Sequence, residues 1–199
     1  MKCALIIFVK KPEAGKVKTR LAVTLGNKKA LEIYLQLLEH TRSIVKSVAA
    51  DKFVFYVDTP GKNDLWEHNI FNKKIQHGKT LGNKMLNAFN EMFGAGYEKV
   101  SIIGSDCFEL TTAIINQGFT ELESCDLVIG PASDGGYYFL GMKKMHAALF
   151  ASIEWSTEKV LRQTTAVCVS KQLTYRLLAE LNDIDVETDW LKAMEQFPL

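Results

Sequence analysis

Several stretches of the chain carry no polar residue at alternate positions. Continuous apolar runs rich in β-branched and aromatic residues occupy Cys3–Val9, Phe53–Val57, Val100–Gly104 and Leu127–Gly130, with Tyr137–Met142 following. A strand with one face in water alternates polar and apolar residues, so these runs suit strands covered on both faces. Between them lie helical periods. Leu31, Tyr34, Leu35 and Leu38 recur at i, i+3, i+4 and i+7, and Leu81, Met85, Phe89 and Met92 repeat about one turn apart. Strand and helix therefore alternate, which predicts an α/β fold: three layers, α/β/α, around a mostly parallel central sheet. Right-handed crossovers would bring the loops after the strands to one edge, where sheets of this kind bind ligands. The last third is less regular. Its pattern predicts a helix from about Ser156 to Cys168, a strand over Leu173–Leu178 and a short helix after Asp189, capped by Thr188 or Asp189.

The 199 residues suffice for about one domain, and no linker, low-complexity tract or repeat divides them, so residues 1–199 read as a single domain. With 24 Lys+Arg against 23 Asp+Glu the formal charge is +1, which leaves no electrostatic footprint for nucleic acid. The longest apolar run, Cys3–Val9, is far short of the roughly 18 residues a membrane span needs. As a leader it lacks a small-residue cleavage site, because Lys10, Lys11 and Pro12 follow it. Cys3, Cys107, Cys125 and Cys168 form no CxxC pair, and reduced thiols in the cytoplasm are the expectation.

Charge is uneven along the chain even though it nearly cancels in sum. Lys10 to Arg20 holds five basic residues and one acid, whereas Asp183 to Glu195 holds five acids and one lysine. The basic loop directly follows the first strand. Fixed cations there, above all Lys18 and Arg20, with Gly15 allowing close backbone approach, suit a di- or triphosphate; the bland alternative is a solvated lysine-rich turn. A P-loop is the disfavoured competitor, because the glycine required five residues before each Gly-Lys step is Lys10 in one case and Lys73 in the other, so neither segment closes the phosphate cradle. Asp106 ends an apolar strand behind Gly104 and Ser105, where it can reach a hard cation that also holds phosphate oxygens. Its alternative role, a helix cap, falls more naturally to Thr111. Asp134 precedes Gly135-Gly136, a pair able to turn with positive φ, and is a carboxylate able to accept a proton; Asp-Gly-Gly alone is an ordinary hairpin turn. Four acids fall within the seven residues Asp183–Asp189. Clustered carboxylates repel unless separated, solvated or neutralised, so Asp185 could complete a metal site with Asp106 or sit in a solvated acidic turn. His40, His68, His77 and His146 have no metal spacing.

Together these segments resemble the bacterial glycosyltransferases associated with radical-SAM/selenocysteine domain systems, whose fold is the Rossmann-like GT-A fold of nucleotide-diphospho-sugar transferases. The carriers are Phe8-x-Lys-x-Pro-x-x-Gly-x-Val-Lys-Thr-Arg-Leu21, Leu81-Gly82-x-x-Met85, Gly104-Ser-Asp-Cys107, Ser133-Asp-Gly-Gly-Tyr-Tyr-Phe-Leu-Gly141, Trp155-Ser-Thr157 and Asp183-Ile-Asp185. Phe108 stands where that family often has Pro, and Asn83-Lys84 replaces an acidic-Arg pair. The resemblance implies that Lys10, Lys18 and Arg20 lie by the donor phosphates, that base or ribose contacts fall near Gly82, and that Asp106 binds Mg²⁺ or Mn²⁺ with Asp185. It implies a nucleotide-sugar donor and a small-molecule acceptor, with Asp106 as a catalytic carboxylate through its metal; if the anomeric centre inverts, a carboxylate must accept the acceptor's proton, and Asp134 on its Gly-Gly turn is the candidate for that second catalytic role. The same fold also houses nucleotidyltransferases, which use an NTP and release pyrophosphate. A nucleotide-binding module without turnover is a third reading.

Overall fold

A computed structural model describes residues 1–60 and 64–196. Seven strands form one sheet: β1 (Cys3–Val9), β2 (Asp51–Tyr56), β3 (Phe71–Ile75), β4 (Lys99–Ile103), β5 (Leu127–Pro131), β6 (Tyr137–Met142) and β7 (Tyr175–Leu177). Their order across the sheet is β3-β2-β1-β4-β6-β5-β7. All neighbours pair in parallel except β6, which runs antiparallel to both β4 and β5. The helices are α1 (Thr19–Lys46), α2 (Leu81–Gly94), α3 (Thr112–Glu121), α4 (Val160–Ser170) and α5 (Glu187–Gln196).

The unbroken apolar character of β1 follows from its position. Leu5, Ile7 and Val9 enter one core with Tyr34, Leu38 and Val45 of α1 and Ile115 and Phe119 of α3. Ala4 and Ile6 enter the opposite core with Met85, Ala88, Phe89 and Met92 of α2. Both faces of the strand are covered, so period-two alternation has nothing to report.

α1 is buried on two sides. Besides the sheet, its Leu21, Ala30, Ile33 and Leu37 pack against Phe108, Ile184, and Trp190 and Ala193 of α5. The expected face is rotated accordingly: Leu35 is 45% exposed while Ile33 and Leu37 are fully buried. Likewise Leu81 is 42% exposed, whereas Met85, Phe89 and Met92 form the buried face of α2. Gly26 interrupts α1 with φ 78° and ψ 159°, a conformation closed to side-chain-bearing residues.

Other boundaries also move. β3 was not expected, because its Phe-Asn-Lys-Lys-Ile sequence is that of an edge strand with two lysines. α4 begins at Val160 rather than Ser156, and β7 keeps three residues of the expected six. α5 begins at Glu187, so neither Thr188 nor Asp189 precedes it. Asp189 instead sits in the first turn and accepts the backbone N–H groups of Asp185 and Val186 at 3.0 and 2.9 Å. Thr111 caps α3, accepting from the Ile114 N–H at 3.3 Å. No helix among the described residues is long and apolar enough to cross a membrane, and all four cysteines are free.

The chain travels from β1 through β2 to β3 on one side, then returns to β4 on the other side of β1. Loops leaving β1 and β4 therefore diverge over a crevice at the carboxyl edge. Because β6 is antiparallel, its first residues lie at that same edge.

Two stability measurements check this packing. Leu37→Ala should cost about 2–5 kcal/mol in urea unfolding and Leu35→Ala less than about 1 kcal/mol, reversing what sequence periodicity alone assigns to Leu35. Gly135→Ala should cost about 2–3 kcal/mol, since a Cβ there combines φ +86° with overlap on the Glu158 backbone.

Candidate functional site

The loop from Lys10 to Lys18 joins β1 to α1 and is anchored at both ends. The Lys10 N–H donates to the Tyr34 hydroxyl at 2.9 Å, and that hydroxyl donates to the Lys10 carbonyl at 3.1 Å. Val17 is buried at the other end. Lys18 then precedes α1 in the left-handed region, with φ 44° and ψ 47°, a conformation uncommon for a residue with a side chain. Its side chain is 7% exposed and its Nζ donates to Asp106 Oδ2 and Asp185 Oδ1, each at 3.2 Å.

Asp106 follows β4. A Cβ on Gly104 would come within 2.7 Å of Asp106 Oδ1, so the glycine leaves the carboxylate its room. Asp185 arrives from the far end of the chain on an extended segment. Asp183 bridges Cys107 in antiparallel fashion, and the Ile184 N–H donates to the Asp106 carbonyl at 2.9 Å. Extended chain puts residues two apart on one side. Ile184 enters the core and the acids at 183 and 185 turn to the cleft. Arg20, 71% exposed at its side chain, donates from Nη1 to Asp185 Oδ2 at 3.1 Å.

The electrostatics are mutual. Burial alone would lower the Lys18 pKa, but the Asp106 and Asp185 charges outweigh it and the pKa rises. Burial would raise that of Asp106, but Lys18 outweighs it and the pKa falls. At Asp183 the Lys18 charge is outweighed: burial pushes its pKa well above the usual carboxylate range, and the Asp106 charge adds to the rise. Its Oδ1 is buried without a hydrogen-bond partner.

The β5–β6 connection carries Asp134, whose Oδ1 accepts the Gly136 N–H at 2.8 Å. Of the two adjacent glycines, only Gly135 has positive φ; the turn needs left-handed backbone once, not twice. The third wall is aromatic. Trp155 meets Tyr137 edge-on at 6.4 Å and stacks on Phe150 at 6.3 Å between ring centroids. A Cβ at Gly82 would overlap the Trp155 indole, so Gly82 admits that ring against α2. Gln76 at the end of β3 donates from Nε2 to the carbonyls of Phe55 and Val9, at 2.8 and 3.3 Å.

The cleft has a volume of about 740 Å³. Lys10, Lys18, Arg20, Asp106, Asp134 and Asp185 all line it; Gly15 and Gly82 do not. Asp183, Gln76 and the Tyr137–Trp155 wall also line it, and sequence reasoning gave none of them a role. The two-residue spacing of Asp183 and Asp185 was the available signal for the first; nothing in the sequence marks Gln76.

The donor set suits a hard cation. Asp106 and Asp185 offer carboxylate oxygens from facing segments, and Mg²⁺ is commonly held by one or two carboxylates together with substrate phosphates. Among the described residues no group of three His, Cys, Asp or Glu side chains forms a complete cage.

A family model described as "Uncharacterized protein conserved in bacteria (DUF2064)" matches residues 40–157. A crystal structure from Desulfovibrio desulfuricans G20, of a candidate nucleotide-diphospho-sugar transferase, is 32% identical, with 94% of this chain and 84% of that one covered at TM-score 0.85. The 4-diphosphocytidyl-2C-methyl-D-erythritol synthase of Anaerococcus prevotii DSM 20548 is 10% identical, covering 100% and 96% at TM-score 0.61. Rv0371C of Mycobacterium tuberculosis H37Rv, in complex with manganese, is 10% identical, covering 98% and 99% at TM-score 0.59. The latter two share the fold alone. Among curated proteins no match is found. By the family match and the extent of the 32% identity, the chain belongs to the bacterial family DUF2064.

Proposed function

We propose that the cleft is the active site of a glycosyltransferase that takes a nucleoside-diphosphate sugar as donor and a small molecule as acceptor, with Asp106 and Asp185 as ligands of Mg²⁺ or Mn²⁺. The observation that carries this reading is the meeting of Lys18 with Asp106 and Asp185, beside Arg20, at the switch point of the sheet. The Desulfovibrio relative described as a candidate nucleotide-diphospho-sugar transferase supports it, and the manganese complex of Rv0371C supports the cation. The resemblance to the radical-SAM/selenocysteine-associated branch, a single domain over 1–199 and a cytoplasmic setting belong to the same reading.

Lys10, Lys18 and Arg20 neutralise the diphosphate as it enters. When the bond from the anomeric carbon to the diphosphate oxygen breaks, its electron pair stays with the diphosphate, and Lys18 and Arg20 stabilise that charge in a site partly shielded from water. A bound divalent cation adds Lewis-acid stabilisation of the same leaving group. Asp134, which also lines the cleft, accepts the proton of the acceptor hydroxyl as its oxygen bonds to the anomeric carbon. Gln76, anchored by its amide nitrogen, and the Tyr137–Trp155 wall provide a polar and an aromatic surface for the base and sugar.

A second reading is nucleotidyl transfer, in which a phosphorylated acceptor attacks the α-phosphorus of an NTP and pyrophosphate leaves. It is favoured by the likeness in fold to the 4-diphosphocytidyl-2C-methyl-D-erythritol synthase and to a CMP-2-keto-3-deoxy-manno-octonic acid synthetase solved with CTP, 7% identical at TM-score 0.60, with 98% of each chain covered. Both reactions use a basic loop and carboxylates in the same places.

Incubation with nucleotide sugars should yield a nucleoside diphosphate, while incubation with labelled NTPs and phosphorylated acceptors should yield no pyrophosphate; the opposite pattern establishes the second reading. Asp106→Asn should keep the melting transition cooperative yet weaken Mn²⁺-dependent donor binding in calorimetry by about a hundredfold. Unchanged metal-dependent affinity would remove Asp106 from the site.

A further inference from the structure

We propose that Lys18 is an exchangeable counter-ion: with no diphosphate bound its ammonium fills the space between Asp106 and Asp185, and a divalent cation is admitted there only when a diphosphate draws that ammonium onto its own oxygens. The inference rests on the active-site reading above. It follows from the geometry of one side chain. Nζ lies 3.2 Å from an oxygen of each carboxylate, so a cation bridging those oxygens must take the place the ammonium holds. The remaining oxygen of Asp185 is engaged as well, by Arg20 at 3.1 Å.

Charge balance points the same way. Asp106 and Asp185 face Lys18 and Arg20, two negative charges against two positive. Asp183, the third carboxyl, is buried beside them with an unpartnered Oδ1. The ammonium between Asp106 and Asp185 repels a dication directly. A diphosphate changes this, because it brings negative charge and supplies acceptors for Lys18. The backbone permits the exchange without refolding. The left-handed conformation fixes the Lys18 Cα at the mouth of α1, while its four-carbon stem lets Nζ swing between acceptors. Arg20, largely exposed, is free to follow. Metal and nucleotide thus bind with positive coupling, and the coupling resides in Lys18.

Free Mn²⁺ can be titrated against the full chain, without nucleotide, by the electron paramagnetic resonance signal of the aqua ion. Lys18→Met should bind Mn²⁺ about tenfold or more tightly than wild type. Lys18→Arg, which keeps the cation, should resemble wild type, and Lys18→Met with Asp106→Asn should lose the gain. Equal affinities of wild type and Lys18→Met overturn the proposal. Lys18→Gln carries the same expectation should the Met variant fail to fold. An independent test uses the wild-type protein: crystals soaked in Mn²⁺ alone should show no anomalous peak at Asp106, and crystals soaked in Mn²⁺ plus a nucleoside diphosphate should show one. A peak with Mn²⁺ alone overturns the proposal. If the chain turns over no nucleotide donor yet Lys18→Met still gains Mn²⁺ affinity, the transferase reading fails and the counter-ion role stands.

Discussion

A lysine ammonium held between two aspartates ties together three parts of the chain that are far apart in sequence. Lys18 belongs to the first loop, Asp106 to the loop after β4, and Asp185 to the segment leading into α5. Unit charges about 4 Å apart interact by about 4 kcal/mol at the effective dielectric of a protein surface. Carboxylates brought together repel, and the ammonium between these two offsets that repulsion. With it, the acidic end of the chain folds back over the basic beginning, and the uneven distribution hidden in a formal charge of +1 acquires a structural purpose. Asp183 shows the cost of standing outside that arrangement, since its carboxyl is buried with one oxygen unpartnered and its pKa is driven up.

The sheet makes this meeting possible. Strand order reverses between β1 and β4, so their following loops open a crevice, and the antiparallel β6 brings Asp134, Gly136 and Tyr137 to the same rim. Each layer of the molecule contributes one kind of chemistry. The β1–α1 loop supplies cations on a backbone pinned by Tyr34, the β4 loop and the tail supply carboxylates, and the segment before α4 supplies an aromatic wall. Gly82 serves that wall indirectly, by leaving room for Trp155.

Much of this was legible in the residues. The five continuous apolar runs became β1, β2, β4, β5 and β6 because a strand between two cores has no reason to alternate. The contact of Lys18 and Arg20 with Asp185 was foreshadowed by the basic run near the start of the chain and the acidic run near its end. Other features depend on tertiary context that periodicity does not record. Leu35 fits the helical stripe but faces outward, because α1 is gripped from two directions by the sheet and by α5. β3 carries Lys73 and Lys74 and joins the sheet as an edge, a role that tolerates polar residues. Asp189 reaches backward from inside α5 to bond the chain before it, so the residue resembling a cap marked a start three positions too late. Gln76 gives no local signal, since its anchors are carbonyls on two other strands.

The turn bearing Asp134 does not stand alone. The Gly135 carbonyl accepts the Leu161 N–H at 2.8 Å, and the absent Cβ of Gly135 is what lets the Glu158 backbone lie against it. Wall and carboxylate are therefore one mechanical unit. Any exchange of residues 155–162 that reshapes the aromatic side of the cleft also shifts the turn that carries Asp134, so these two parts of the cleft lining cannot be varied one at a time.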